Sequence, residues 1–212
     1  MKGALRGLAC AAVAVVAATA SGSAAAGDPK DAQTDKVRRG EYLVTIGACH
    51  DCHTPMKMTP DGPFPNMELM LSGHPEGSPD PGGTLGPNDL VLSGPDLTAW
   101  KQAFGLVYAR NLTPDKTGLG EWTEAQFVST IRRGRHQGDG RALLPPMPWM
   151  QYAAWTDDDA KAVWAYLRTV KPIKNTVPDP RVPPPVLEQF ARINQGIAEG
   201  VKAHWFKASG GK

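Results

Sequence analysis

The chain has 212 residues, of which 41% are apolar and 21% are charged, so it can bury a core and does not have the composition of a disordered protein. Its 23 Lys and Arg nearly balance its 21 Asp and Glu, which argues against a basic nucleic-acid-binding protein or an acidic tail protein. Three cysteines are too few for a disulfide-dense scaffold. Because Gly (23) and Pro (20) make up about a fifth of the chain, loops should occupy much of the fold.

Residues 1–26 have the pattern of a secretory signal peptide that is cleaved. Lys2 and Arg6 precede an apolar run from Gly7 to Ala20, and the three alanines at 24–26 offer a cleavage site. Cleavage after Ala20 is the alternative. The run is too short and too rich in alanine for a membrane anchor, and lipid attachment at Cys10 fits poorly because Cys10 precedes most of the run. Export would leave a periplasmic chain with 21 basic residues, 21 acidic residues and two cysteines.

The two remaining cysteines lie in Cys49-His50-Asp51-Cys52-His53, a C-x-x-C-H sequence of the kind to which c-type haem is attached. One helical turn brings both thiols to one face, where they can add to the two vinyl groups of one porphyrin. His53 then presents its imidazole to the iron. A redox-active disulfide, a zinc site and a structural disulfide are the alternatives, but we see no βαβ pattern and no second cysteine pair. His50 is expected to face solvent. One motif predicts one haem.

The second axial ligand of the iron is predicted to be Met147. The candidates are Met56, Met58, Met67, Met70, Met147, Met150, His74, His136 and His204. Pro145, Pro146 and Pro148 stiffen the loop around Met147, which helps to hold a weak thioether ligand. Leu144 and Trp149 would cover the haem face. The alternatives are that Met147 only fills core space, or that His136 is the ligand instead; we expect His136 to be an exposed loop residue.

The first half of the mature chain combines one helix with long loops. Residues 27–34 are expected to be flexible, and a helix should run from Asp35 to Ala48 and end at the haem motif. Residues 54–96 contain nine Pro and seven Gly, which predicts a long irregular loop. The segments Leu90–Ser93 and Leu106–Ala109 could pair as two short strands.

The second half contains three predicted helices. Thr123 and Gln126 form a capping box for the first of them, and Gly134 should end it. Thr156 caps the second, whose buried face reads Ala160, Val163, Trp164, Leu167 and Val170. Residues 171–185 read as an extended, Pro-rich arm. An amphipathic helix from Leu187 to Trp205 is expected to pack back on the same domain, with docking to a partner protein or a membrane surface as alternatives.

The order of these elements over residues 36–170 resembles class I cytochromes c. In that family a glycine of the first helix packs against an aromatic residue of the last helix, and Gly40 with Tyr166 or Trp164 matches this pattern. The segments 111–115, 118–123 and 139–148 are similar to the haem domains of the cytochrome c subunits that serve periplasmic alcohol and aldehyde dehydrogenases. Those subunits often carry three such domains, whereas this chain carries one.

The resemblance implies a mainly α fold, with long irregular loops around one covalently bound haem c in a domain over residues 35–170. Residues 171–212 lie outside it. The implied cofactor-binding residues are Cys49, Cys52, His53 and Met147, and His53 and Met147 would hold the iron. With both axial positions filled, we expect an electron carrier between a dehydrogenase-type donor and a cytochrome or oxidase acceptor, not an enzyme. A peroxidase-like enzyme and a gas-binding sensor that exchanges Met147 are the alternatives.

Two further sets of contacts are predicted around the haem. The Nδ1–H of His53 should donate a hydrogen bond to a backbone carbonyl in the Pro-rich stretch after Pro55. The candidates for contacts with the haem propionates are Arg110, Asn111, Trp122, Arg141 and Trp149.

Overall fold

Helices dominate the computed structural model, which describes residues 29–208 and the side chains of residues 30–200. The predicted signal peptide therefore lies outside the described residues. The helices of this part are α1 (Pro29–Ile46), α2 (Cys49–His53), α3 (Glu124–Arg133), α4 (Trp149–Tyr152), α5 (Asp157–Leu167) and α6 (Pro184–Ala208). None of these six is both long enough and apolar enough to cross a membrane. The prediction of a mainly helical chain is thus confirmed for the part described.

The described part of helix α1 runs from Pro29, six residues earlier than the predicted start at Asp35. The Thr34 hydroxyl donates to the carbonyl of Lys30 at 2.9 Å, and Arg38 lies 3.7 Å from the Asp35 carboxylate. These local contacts extend the helix beyond the part that is packed against the core.

Helix α1 ends at Ile46, two residues before its predicted end. Ala48 has a left-handed backbone with φ of 55°, which breaks the helix, and α2 starts directly afterwards at Cys49. The hydroxyl of Tyr152 donates to the carbonyl of Gly47 at 2.5 Å. The C-x-x-C-H segment is therefore a separate short helix, and the break at Ala48 sets its angle to α1.

The core lies where α1, α3 and α5 meet. Its larger buried members include Leu43, Val44, Phe127, Ile131, Val163, Trp164 and Leu167. The predicted contact of Gly40 with an aromatic residue of the last helix of the domain is confirmed for Tyr166. A Cβ atom on Gly40 would lie 2.0 Å from the carbonyl oxygen of Ala162 and 2.8 Å from Tyr166 Cβ. Only a glycine allows α1 and α5 to approach this closely.

The caps predicted for α3 and α5 are confirmed. The Thr123 hydroxyl accepts from the N–H of Gln126 at 3.2 Å, and the Gln126 side chain accepts from the N–H of Thr123 at 2.9 Å. Gly134 ends α3 in the left-handed conformation, with φ of 61°. The Thr156 hydroxyl accepts from the N–H of Asp159 at 3.0 Å. Local sequence therefore sets where both helices begin.

Two small antiparallel sheets lie between α2 and α3, the first inside the 54–96 region predicted to be irregular and the second beginning at its end. Strands β1 (Met56–Thr59) and β2 (Gly62–Pro65) form a hairpin with Thr59 opposite Gly62. Strands β3 (Val91–Ser93), β4 (Ala99–Gln102) and β5 (Gly105–Tyr108) form a second sheet in that order. The prediction that the segments Leu90–Ser93 and Leu106–Ala109 pair directly is wrong, because β4 lies between β3 and β5 and pairs with both. The sequence Ala99-Trp100-Lys101-Gln102 lacks the apolar alternation that marks a strand.

Beyond α5, an extended arm leads to α6. The backbone of Arg181 exchanges two hydrogen bonds with Leu106 of β5, at 2.9 and 3.0 Å. Val186, Leu187 and Phe190 of α6 then pack against a buried cluster that includes Leu144. For its described side chains, the prediction that this helix packs back on its own domain is confirmed.

Candidate functional site

A cavity of about 1150 Å³, counting its opening to solvent, lies between α2, β5 and the loops on either side of α3. Its wall is mostly apolar with a few polar and charged side chains, which is typical of a site for a large, flat, largely apolar ligand. Three of the four predicted site residues, Cys52, His53 and Met147, line it. Cys49 lies one helical turn before Cys52 and packs against the helical core. The apolar part of the lining includes Val107, Ala109, Leu112, Leu119, Phe127, Ile131 and Leu144.

The buried imidazole of His53 is prepared to act as a ligand. Its Nδ1 lies 2.7 Å from the carbonyl oxygen of Arg110, which can only accept, so Nδ1 carries the proton. Burial lowers the pKa of His53 to about 4, which keeps the ring neutral. In this tautomer Nε2 has a lone pair, and no described residue hydrogen-bonds it. The remaining nitrogen of His53 is therefore available to a metal at the cavity wall.

The partner of His53 corrects a prediction, because the acceptor is Arg110 and not the Pro-rich stretch after Pro55. Strand β5 ends at Tyr108, and the following backbone runs beside α2. The N–H of Ala109 donates to Thr98 at 2.8 Å and the carbonyl of Ala109 accepts from His74 at 3.0 Å, which fixes that backbone in place.

The two cysteines are free thiols that do not bond to each other. Burial raises the pKa of Cys49 to about 12 and also raises the pKa of Cys52. A redox-active C-x-x-C pair needs the opposite, a lowered thiol pKa. Among the described residues, no three His, Cys, Asp or Glu side chains come together as a zinc site would require. The site therefore fits thioether attachment better than either alternative.

His50, inside the motif, is partly buried and not fully turned to solvent as predicted. Its Nδ1 lies 3.0 Å from the Thr54 hydroxyl oxygen, and it is absent from the cavity lining. Thr54 is fully buried and its hydroxyl also accepts from the N–H of Leu71 at 3.0 Å. His50 thus helps to hold α2 in place through its hydrogen bond with Thr54, and it does not line the cavity.

Met147 sits on a loop that other contacts hold against α3. The N–H of Leu143 donates to the carbonyl of Gly134 at 2.8 Å, and the N–H of Met147 donates to Leu144 at 3.1 Å. Leu144 lines the cavity as predicted. Trp149 does not, since it is 2% exposed and its indole packs directly on Gly134, where a Cβ would lie 2.4 Å away. The predicted haem cover by Trp149 is therefore wrong.

Of the other predicted axial candidates whose side chains are described, only His136 lines the cavity. It is half-buried and edge-on to Trp122, with 4.8 Å between ring centroids, so the expectation of an exposed loop residue is wrong. His74 is buried elsewhere, with Nδ1 2.8 Å from the Thr98 hydroxyl. The side chain of His204 lies outside the described part. Met147 and His136 are thus both in reach of the same space.

One side of the cavity carries positive charge. Arg110, Arg141, Asn111 and Trp122, all predicted as propionate contacts, line it. Burial, and then the charge of Arg110, lowers the pKa of Arg141 to about 10. Burial lowers the pKa of His136 to about 4, with Arg141 and Arg110 adding to the effect. Arg110 and Arg141 thus bring two like charges to one side of the cavity, and a ligand with carboxylates there would offset them.

Sequence reasoning missed several wall residues, among them Trp100 and Tyr108 from the β3–β4–β5 sheet and Thr130 from α3. The apolar run at Leu106–Tyr108 was visible as a strand signal, but nothing local indicates which face of that strand meets the cavity. Non-local pairing with β4 and with Arg181 sets that orientation.

No protein-family model matches the chain. The fructose dehydrogenase cytochrome subunit of Gluconobacter japonicus is 32% identical over 74% of this chain and 26% of that subunit. The cytochrome c subunit of alcohol dehydrogenase (quinone) from Gluconobacter oxydans is 29% identical over 71% of this chain and 25% of that subunit. The gluconate 2-dehydrogenase cytochrome c subunit of Pantoea cypripedii is 32% identical over 82% and 32%.

The chain thus spans about a quarter to a third of the length of these curated relatives. All three are named as cytochrome subunits of dehydrogenases, which supports a role in electron transfer. The predicted resemblance is therefore confirmed: over most of its length, this chain is similar to one segment of the cytochrome c subunits of dehydrogenases.

Proposed function

We propose that the mature chain is a periplasmic monohaem c-type cytochrome that carries single electrons from a dehydrogenase-type donor to a downstream acceptor. The observation that carries this proposal is one apolar cavity whose wall contains a neutral His53 imidazole, the Met147 thioether and Cys52. The names of the relatives support the electron-transfer role and the class of donor.

The residues present fit a haem c: Cys49 and Cys52 would hold it through thioether bonds, and His53 Nε2 and the Met147 sulfur would bind its iron. When bound, haem c would supply one reversible electron at its iron. The hydrogen bond from His53 to the Arg110 carbonyl fixes the tautomer and ring orientation, and makes the imidazole a stronger donor. The thioether of Met147 favours the reduced metal and a relatively high potential.

Arg110 and Arg141 would let the cavity bind the carboxylates of a haem in addition to its iron. Arg110, which lines the cavity, donates to the carbonyls of Val177 and Pro178 at 3.1 and 2.9 Å. These bonds fix the position of its guanidinium group. Its ion-pair partner at 3.5 Å, Asp179, is 88% exposed and compensates little of its charge. Arg110 and Arg141 would therefore be the residues that neutralise the two propionates of a bound haem.

If His53 and Met147 both bind the iron, a substrate would find no open position on it, which favours electron transfer over catalysis. His136 supports a second candidate, a peroxidase-like or gas-binding site. Its ring is neutral at working pH and lines the same cavity, as a distal acid–base group or a competing ligand would. The two candidates differ in whether Met147 stays bound to the iron.

Haem attachment is tested on the full chain produced with its leader in a host that matures c-type cytochromes. The pyridine haemochrome spectrum should report two saturated thioether links, and the mass of the intact protein should rise by one haem. A spectrum with a free vinyl group, or haem lost in acidic acetone, contradicts covalent attachment through both Cys49 and Cys52.

Ligation by Met147 is tested with the far-red charge-transfer band of a thioether bound to ferric iron. The band should be present in the wild type, vanish in Met147→Ala and persist in two controls. The first control is Met150→Ala, an exposed methionine outside the cavity wall, and the second is His136→Ala. Absence of the band in the wild type, with its appearance in His136→Ala, would instead support the histidine-ligated site.

The donor class is tested by mixing the oxidised protein with a sugar or alcohol dehydrogenase and its substrate. Reduction of the haem at a rate that follows dehydrogenase turnover supports the proposal. Reduction that needs no dehydrogenase, or peroxidase turnover in place of reduction, argues against it.

A further inference from the structure

Asn194 of α6 is a buried polar residue that reaches the loop bearing Met147. It is 3% exposed, and its Nδ2 donates to the carbonyl of Gly134 at 2.7 Å and to the carbonyl of Leu143 at 2.9 Å. Both N–H groups of one side-chain amide are therefore used on backbone atoms that lie 60 and 51 residues earlier in the chain. The side chain thus connects α6 to the backbone at Gly134 and at Leu143.

The two acceptor carbonyls, those of Gly134 and Leu143, lie at the two ends of one loop. Leu143 N–H already donates to the Gly134 carbonyl at 2.8 Å, and the N–H of His136 donates to the carbonyl of Arg141 at 2.9 Å. These backbone bonds hold the two ends of the loop together, and the Asn194 side chain bonds to both ends. Six residues of the cavity wall lie on this loop or directly after it: His136, Arg141, Leu143, Leu144, Pro146 and Met147.

Apolar contacts set α6 in the correct place for this amide. Leu187, Phe190 and Ala191 pack on the cluster that contains Ala142 and Leu144. The ring of Phe190 meets that of Phe104 edge-on, with 4.9 Å between centroids. The amide is therefore held within a packed interface, where an unbonded carbonyl would cost more than at the surface.

We propose that Asn194 is a positioning residue that clamps the loop over residues 134–147 and so keeps Met147 against the haem. The proposal rests on the proposed function for the role of Met147, although the clamp itself concerns only the backbone of the loop. A thioether is a weak ligand, so the fraction of molecules with the iron–sulfur bond intact depends on how rarely the loop opens. The C-terminal helix thus acts on Met147 through the backbone of the loop that carries it.

The test compares Asn194→Ala and Asn194→Asp with Asn175→Ala. The aspartate keeps the shape but replaces two donors by acceptors that face two carbonyls. Asn175 is a matched control, because it is 6% exposed and its Nδ2 donates to two carbonyls, those of Ser72 and His74, away from the Met147 loop. The measurements are the far-red band, the affinity of ferric protein for imidazole, and amide hydrogen exchange at Leu143 and His136.

Each buried hydrogen bond shifts a local equilibrium by about three- to tenfold. Loss of both in Asn194→Ala should therefore raise imidazole affinity and Leu143 exchange about ten- to a hundredfold, with a weaker far-red band. Asn175→Ala should lower global stability but change imidazole affinity less than threefold. Equal effects of the two variants, or no effect of Asn194→Ala on loop exchange, would overturn the proposal.

Two results separate this proposal from the proposed function. If the wild type lacks the far-red band while Asn194→Ala speeds exchange at Leu143, the clamp stands and ligation by Met147 fails. If the variants do not fold, hydrogen exchange in the wild-type protein still tests the proposal. The clamp requires that the side-chain amide protons of Asn194 exchange slowly. Exchange of those protons at the rate of an exposed asparagine contradicts the clamp.

Discussion

Replacement of Gly40 by alanine should separate α1 from α5 and destabilise the protein. The added Cβ would lie 2.0 Å from the Ala162 oxygen and 2.6 Å from the Ala162 carbonyl carbon. Both are backbone atoms of α5 and cannot rotate away as a flexible side chain could. The two helices must therefore move apart by ~1 Å to restore an ordinary contact, which loosens the core around Val44 and Val163.

The expected loss follows from two opposing contributions. Overpacking of a core costs about 1–3 kcal/mol, and a clash with backbone belongs at the upper end. Alanine in a helix gains about 1 kcal/mol over glycine. The net decrease in the free energy of unfolding should be about 2 kcal/mol, which corresponds to a fall in Tm of about 4–8 °C for a domain of this size.

The matched control is Gly196→Ala. Gly196 also lies within a helix, but a Cβ at this position has no neighbour within 4 Å. This variant should gain about 0.5–1 kcal/mol. Thermal and urea unfolding of the haem-containing proteins gives both values. If Gly40→Ala is as stable as the wild type, or gains as Gly196→Ala does, the close approach of α1 and α5 is not what requires glycine here.

Three further predictions concern a cap, a carboxylate and a cavity arginine. Thr123→Ala removes the capping box of α3 and should lower the urea midpoint by an amount equivalent to about 1 kcal/mol; no change would show that the cap is dispensable. The Tyr108 hydroxyl donates to Asp80 at 2.6 Å and lowers the pKa of that carboxyl from 3.8, so its contribution to stability is present above about pH 4 and is lost as the pH falls through the lowered value. Tyr108→Phe should raise the pKa of Asp80, measured by NMR titration, and weaken the acid dependence. Arg141→Gln should lower the reduction potential because it removes a positive charge from the cavity wall, whereas Arg133→Gln, at an exposed position on α3, should leave the potential nearly unchanged.

Helix starts that depend on residues close together in the sequence were predicted correctly. The capping box of Thr123 and Gln126 and the Thr156 cap set helix starts through contacts within three residues, which the sequence displays directly. The position of Gly40 was readable for a related reason, because the family pattern encodes a backbone contact that excludes any side chain.

Features that depend on distant backbone atoms were not readable. The acceptor for His53 is the carbonyl of Arg110, and a carbonyl is the same on every residue, so no side-chain type marks it. The strand β4 was missed because its partners on both sides decide that Ala99–Gln102 is extended. The burial of His136 beside Trp122 likewise depends on how the Met147 loop folds against α3.

The C-terminal arm lies outside the predicted resemblance, yet it bonds to Asn111 of the cavity wall and to a second loop away from it. Asn111 donates to the carbonyl of Ile173 at 2.8 Å, and Asn175 donates to Ser72 and His74 at 2.7 and 2.9 Å. An extended segment makes no hydrogen bonds within itself, so its backbone groups need partners elsewhere in the chain. The side chains of Asn111 and Thr113 supply some of these partners, and the arm in turn fixes the loop that carries them. An extended segment that lies outside the helical core can in this way hold part of a cavity wall in place.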